Sequence, residues 1–231
     1  MDIPLTSDTK EKFIWQWQQT QLFFLKEKAL WLEEEKSLLV ADTHFGKAGH
    51  FRKSGIPIPE TVHAQDFRQL QQLIDTYKPL RFLFLGDLFH SEHNQSWEQL
   101  LQFVAFNGGV YFHLIKGNHD ILPGMVYENS RFRIHENTLT LGKLLLSHEP
   151  LVGVPKGFLN VCGHLHPGVV IQGKSRQRIT LPCFFYRNNC LVLPAFGRFT
   201  GLMKISRETA SCILVTTSDA VIPIKLNNKV G

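Results

Sequence analysis

Asp42-Thr43-His44, Asp87, Asn118-His119-Asp120, His148 and His164-Leu165-His166 are the side chains of this 231-residue chain whose types and order could do chemistry together. Each group follows a short apolar run: Leu38 to Ala41, Phe82 to Leu85, Val110 to Ile115, Leu144 to Leu146, and Val161-Cys162. Such runs read as strands buried on both faces. A carboxylate at the tip of a buried strand needs a strong partner, because desolvating a charge costs several kcal/mol or more. At Asp87, reached through the tight turn that Gly86 permits, that partner reads as a pair of metal ions, both touching the one carboxylate.

Taken singly, each group has an ordinary explanation. Asp42 could cap a helix, Gly86-Asp87 could be a plain turn, and Ser147-His148 could be a hydrogen-bonded histidine. Two histidines on alternate residues, His164 and His166, aim the same way only in extended structure. Five groups in succession at the carboxyl ends of apolar strands fit the crevice rule for α/β sites. Imidazole with carboxylate suits Mn, Fe or Zn, and a set without Cys argues against a closed structural zinc site.

Elements must hold these tips in place. Leu22 to Leu25, Ala29 to Leu32 and Ser37 to Ala41 read as strands. Residues 1–20 are mainly polar, carry Trp15 and Trp17, and are expected to form an arm or short helix packed on the body. Phe67, Leu70, Leu73, Ile74 and Tyr77 recur at helical spacing between Glu60 and Tyr77, with Pro79 as the stop. Trp97, Leu100, Leu101 and Val104 mark a second helix that Gly108-Gly109 ends. This β-α-β-α-β order predicts a parallel sheet with helical crossovers. Beyond residue 121 the helical period fades. Ile179 to Tyr186, Cys190 to Leu193, Ala210 to Thr216 and Ala220 to Ile224 read as an antiparallel finish. The expected fold is α/β, two packed mixed β-sheets flanked by helices, in a single domain over 1–231.

Composition narrows the class. A formal charge of +5 and a pI near 9.0 suit a polyanionic substrate. Four Cys without CxxC spacing read as reduced, mostly buried thiols, and the N-terminus shows no apolar leader. No apolar run reaches the roughly 18 residues needed to cross a bilayer. A cytoplasmic protein that does not enter a membrane is expected.

In this order, Asp42-x-His44, Gly86-Asp87, Gly117-Asn118-His119-Asp120, His148 and Gly163-His164-Leu165-His166 resemble the calcineurin-like metallophosphoesterase superfamily, over about residues 37–167. Ala41 to Ala48, Phe51-Arg52, Gly55 to Pro59, Gly86 to Ser91 and Leu193 to Gly197 are similar to the ligase-associated DNA-damage-response endonuclease family. The resemblance implies a four-layer αββα fold and a two-metal site. Asp42, His44 and His166 would hold one ion, Asn118, His148 and His164 the other, with Asp87 bridging. His119 would sit by the scissile phosphate without binding metal, and Asp120 would orient its ring. The superfamily usually has a second Asp where this chain has His90. The Gly86 to His90 run looks like that of double-strand-break repair nucleases, which favours phosphodiester substrates.

From chemistry, two cations about 3.5–4 Å apart bind the non-bridging oxygens and acidify a shared water. His119 or His90 then serves the leaving oxygen, although His90 could equally be an orienting residue. Lys47 and Arg52, in a loop that overhangs the site, are candidate phosphate contacts, as is Arg198 in a Gly-flanked turn. Lys174, Arg176 and Arg178 form a basic cluster, and Phe51 and Phe196 are candidate base-stacking rings. The function expected is a metal-dependent phosphodiesterase with two divalent ions (Mn²⁺, with Fe or Zn as alternatives). Its substrate would be single-stranded or unpaired DNA in repair, alongside a repair ligase or helicase. Unpaired sheet edges leave a homo-oligomer open. The rivals are a small-molecule phosphodiesterase or nucleotide pyrophosphatase on the same ions, and an inactive scaffold.

Overall fold

In the computed structural model the described residues are 5–9, 11–47, 62–90, 94–173 and 177–226. The first sheet has eight strands in chain order: β1 (Leu5–Thr9), β2 (Lys12–Trp17), β3 (Thr20–Leu25), β4 (Leu30–Leu32), β5 (Ser37–Val40), β6 (Arg81–Leu85), β7 (Tyr111–Ile115) and β8 (Arg133–His135). β1 to β5 pair antiparallel, and β5 to β8 pair parallel. The parallel half is the one whose connections are helical: α1 (Val62–Tyr77), α2 (Gln95–Phe106) and the short α3 (Gly124–Glu128). Asn94 starts α2 by accepting the Ser96 amide at 2.8 Å, which satisfies one of the free N–H groups of the first turn.

β6 is apolar along its length because both faces are covered. Phe82 and Phe84 pack with Leu70, Leu73 and Trp97 of the helices. Leu83 and Leu85 turn the other way, into a cluster shared with Leu146, Val161 and Phe184 of the second sheet. That sheet contains β9 (Thr138–Leu141), β10 (Leu144–Ser147), β11 (Leu159–Cys162), β12 (Pro167–Gln172), β13 (Arg178–Arg187), β14 (Cys190–Val192), β15 (Met203–Lys204), β16 (Cys212–Thr216) and β17 (Val221–Pro223). The expected antiparallel finish is present, with β13 antiparallel to β14 and β16, and β16 antiparallel to β17. The sheet as a whole is mixed, because β10, β11 and β14 run parallel to one another.

The architecture is therefore two packed mixed sheets with helices outside. Helices cover the first sheet. On the outer face of the second, among the described residues, Ile205, Ala210, Ile224 and Leu226 pack against Val169, Cys183, Ile213 and Val215.

The N-terminal segment corrects the sequence expectation. It is a pair of strands, not an arm or helix. Phe13 and Trp15 alternate toward the second sheet while Ile14 faces the helix side, and Trp15 meets Tyr186 edge-on at 4.8 Å. That period of two is too short to stand out among the surrounding Lys and Gln residues. No helix among the described residues is long and apolar enough to cross a membrane.

Candidate metal centre

The tips of β5, β6, β10 and β11 meet where the two sheets converge, and backbone hydrogen bonds stitch them in pairs. Asp42 N–H donates to Gly86 O at 3.2 Å, His44 N–H to Asp87 O at 2.9 Å, and Gly163 N–H to His148 O at 2.9 Å. Ala41 also bridges Ala195, and the Phe196 and Gly197 amides donate to Ala41 O and Asp42 O. Eleven non-glycine residues among those described have positive φ, and Asp42, His44, Asp87, His164 and His166 are five of them. Left-handed backbone costs a non-glycine residue roughly 1 kcal/mol or more. Here it turns each chain at its strand tip so that the side chain enters the crevice.

Glycines clear the space. A Cβ on Gly86 would strike the His148 ring, and one on Gly117 would strike Asp87 Oδ1. One on Gly163 would come within 2.6 Å of Asp42 Oδ2.

All seven residues expected from the sequence as metal ligands converge, in two groups. Asp42, His44, Asp87 and His166 offer ligand atoms that all lie within 4.8 Å of one another. Within that group His44 Nε2 is 3.3 Å from His166 Nε2 and 3.7 Å from Asp87 Oδ2, and His166 Nε2 is 3.4 Å from Asp42 Oδ1. The second group surrounds His148 Nε2, with Asn118 Oδ1 at 3.0 Å, His164 Nδ1 at 3.1 Å and Asp87 Oδ1 at 3.5 Å. Asp87 thus turns one oxygen to each group.

The donor set fits divalent cations. Asp42 and Asp87 are buried, and among the described residues their ion-pair partners are imidazoles, not Lys or Arg. Burial first, then Lys47 and the neighbouring imidazoles, pushes His44 down to about 2, so it brings no charge of its own. Two buried carboxylates with no Lys or Arg partner among the described residues suit a cation from solution. His148 Nδ1 lies 3.0 Å from Leu85 O, which places its proton there and leaves the Nε2 lone pair free.

The remaining expected residues divide. His119 donates its backbone N–H to Asp87 Oδ1 at 2.9 Å, and its ring lies against that of His90, tilted by 40° with centroids 3.9 Å apart. Both rings lie within 5.6 Å of the His44 ring. Asp120 does not orient the His119 ring: its carboxylate accepts from Gly117 N–H at 2.9 Å and Phe89 N–H at 3.0 Å. It ties the β6 and β7 tips together, and burial lifts it to about 7 against those hydrogen bonds. Lys47 sits next to the site, its amide donating to His44 O at 3.3 Å. Arg198 pairs through Nε with Asp66 of α1 at 3.5 Å, with about half of its side chain exposed (52%). Phe196 is 1% exposed and cannot stack on a base. Arg52, Phe51, Lys174 and Arg176 lie outside the described residues, leaving Arg178 alone of its cluster, exposed at the start of β13.

Two supporting residues escaped sequence reasoning. Lys28 Nζ donates to Ala195 O at 2.8 Å and to Phe196 O, bracing the loop that holds Asp42; burial lowers it to about 8. Asn160 is fully buried and bonds Leu145 O, Ser147 Oγ and Leu151 N–H around the His148 tip. The signal for Asn160 was an amide inside the apolar run from Leu159 to Cys162. Lys28, in a surface-looking turn, gave none.

A family model described as calcineurin-like phosphoesterase matches residues 36–183. The chain superposes on the nuclease MPE of Pseudomonas putida with a TM-score of 0.79 and 26% identity, covering 92% of this chain and 100% of that one. Yfce, a phosphoesterase from E. coli, aligns at 13% identity and a TM-score of 0.44, over 83% of this chain and 99% of its own. No curated protein sequence matches.

Proposed function

Since the chain belongs to the calcineurin-like phosphoesterase family, and is accordingly a metal-dependent phosphoesterase, we propose that it is a DNA endonuclease that cuts single-stranded or unpaired DNA during repair. The observation that carries this reading is the Asp87 carboxylate, with one oxygen 3.7 Å from His44 and the other 3.5 Å from His148. The overlap with the Pseudomonas putida nuclease supports a nucleic-acid substrate. A cytoplasmic setting and a ligase or helicase partner belong to the same proposal and rest on the loop resemblance.

Asp42, His44 and His166 would hold one divalent ion, Asn118, His148 and His164 the other, and Asp87 both. Bound there, the ions (Mn²⁺, with Fe or Zn as alternatives) would offset the phosphodiester charge and acidify the attacking water. The chain's own residues do the rest. His119 faces the leaving oxygen and gives it a proton, a role typically worth about 10²–10⁴ in rate. His90, packed against it at 3.9 Å, holds that ring in place. The Lys47 ammonium, beside His44, meets a phosphate oxygen.

The test is circular single-stranded DNA with Mn²⁺, which offers no ends. Linearisation is expected, and His119→Ala should slow it by about 100-fold or more while leaving bound metal unchanged. Consumption of linear or mononucleotide substrates alone would remove the endonuclease. A small-molecule diesterase is the second reading, favoured by Arg198 and Lys116 both being paired with carboxylates. A steep fall of DNA affinity with salt would count against it, because counterion release scales with the phosphates contacted.

A further inference from the structure

Beside the second group of ligands, between the tips of β7 and β10, lies a cleft of about 570 Å³. Its floor is Gly117, Asn118 and His148, so anything in it abuts the metal centre. One wall is Glu136 to Thr138, where the chain passes from the first sheet to the second. The other is Glu149 to Val152. This second wall is built, not loose: buried Asn160 accepts from Leu151 N–H at 2.9 Å and donates to Ser147 Oγ at 2.8 Å. Ser147 Oγ in turn donates to Glu149 O at 2.6 Å. At its end Val152 is fully exposed, an apolar surface held next to a polar site.

The charges on the two sides of the centre are opposite. On the His44 side stands Lys47. On the cleft side the only cation among the lining residues, Lys116, is engaged by Glu136 at 3.2 Å, and Glu149 adds a second exposed carboxylate. A further phosphate is therefore repelled in the cleft and attracted on the other side. An uncharged group with an apolar face and hydrogen-bonding edges suits the cleft, and the volume falls in the roughly 300–1,000 Å³ range of small-molecule sites.

Resting on the nuclease reading above, we propose that this cleft takes the single nucleoside on one side of the scissile phosphate. Its base lies against Val152 and its polar edges face Asn137 and Thr138. On the other side of the scissile phosphate the strand runs past Lys47, and beyond the cleft it leaves over the acidic Glu136 and Glu149 walls at a cost in rate, so an internal bond is still reached. The site is thus asymmetric toward a strand: it tolerates phosphates beyond the scissile one in one direction and disfavours them in the other.

The experiment compares cleavage of thymidylyl-thymidine carrying one extra phosphate, at its 5′ or at its 3′ end, with Mn²⁺ in low salt. One end should be cut with a kcat/KM about threefold to tenfold below the other, the size of a screened like-charge repulsion. In a Glu136→Gln/Glu149→Gln protein that ratio should fall to near one, and Val152→Gly should raise KM more than it lowers kcat. Equal rates for the two ends, or an unchanged ratio in the double variant, would overturn the cleft assignment while leaving the nuclease intact. If neither dinucleotide is cut while circular single-stranded DNA is still linearised, the cleft assignment alone is overturned. If the circle also stays intact while methyl p-nitrophenyl phosphate is hydrolysed, the nuclease reading fails and this inference falls with it.

Discussion

Two pairs of close histidines in this molecule have the same ring spacing, perpendicular in one pair and parallel in the other, and opposite surroundings. His44 Nε2 and His166 Nε2 are 3.3 Å apart at strand tips; His113 Nδ1 and His135 Nε2 are 3.0 Å apart within β7 and β8. Ring centroids are 5.3 Å apart in both pairs. Each pair has a buried ring nitrogen without a hydrogen-bond partner, on His44 and on His113. The tip pair, however, has Asp42 and Asp87 oxygens within 3.7 Å, and both its residues have left-handed backbone. The sheet pair has regular strand backbone, and the charges that act on it are the guanidiniums of Arg133 and Arg81. Close imidazoles alone do not make a cation site. Negative charge and a backbone turned into a crevice do, and arginines nearby repel what the carboxylates would attract.

The largest way to break that contrast is to remove the charge from the tip pair. Asp87→Asn keeps an oxygen for the His119 amide but takes away the carboxylate shared by both groups. Activity should fall more than about 100-fold, because even partners outside a metal's ligand shell cost 10–100-fold when lost. Metal content should fall with it. His113→Leu should change neither. Equal losses in the two variants would mean that carboxylates are not what separates the pairs.

A smaller effect comes from the ions themselves. Divalent metal at about 100 times its Kd stabilises a protein that binds it only when folded by about 2.7 kcal/mol. For a chain of this size that is roughly 5–10 °C in Tm. Mn²⁺ should give that rise in the wild type and in His135→Ala, EDTA should reverse it, and His166→Ala should blunt it. A rise lost in His135→Ala instead would place an ion in the sheet.

The same contrast explains what was legible in the sequence. His44, His148, His164 and His166 follow their apolar runs, while His113 interrupts one, between Phe112 and Leu114. A histidine after a strand sits in a crevice, and one within it is core. Strand tips, α1, α2 and the groups that converge on the crevice were therefore legible from spacing, while the set of seven expected ligands came from the family resemblance. The role of Asp120 could not, because its partners are the backbone amides of Gly117 and Phe89, 31 residues apart for the second bond. Lys28 stayed hidden for the same reason: it binds carbonyls 167 and 168 residues away. Contacts to backbone leave no residue type to recognise. Phe196 is ambiguous in the sequence, because an aromatic ring beside a glycine looks alike whether it is packed or presented; here it is packed.

The smallest effect probes the sheet pair. Burial, then His135, Arg133 and Arg81, lowers His113 to about 4 from an ordinary value near 6.5. The unfolded chain thus binds a proton between those values that the folded chain refuses. Stability should rise with pH in that window, be fully present above about 6.5, and be lost as pH falls toward 4. A shift of this kind is worth about 1–3 kcal/mol for a buried group. His113→Leu should remove that share of the acid loss. Urea melts of the two proteins at pH 7 and pH 4.5, both in EDTA so that the tip pair is treated alike, isolate it as a difference. Parallel loss in wild type and variant would mean that His113 titrates in the native sheet as freely as in the unfolded chain, and that the arginines do not set the two pairs apart.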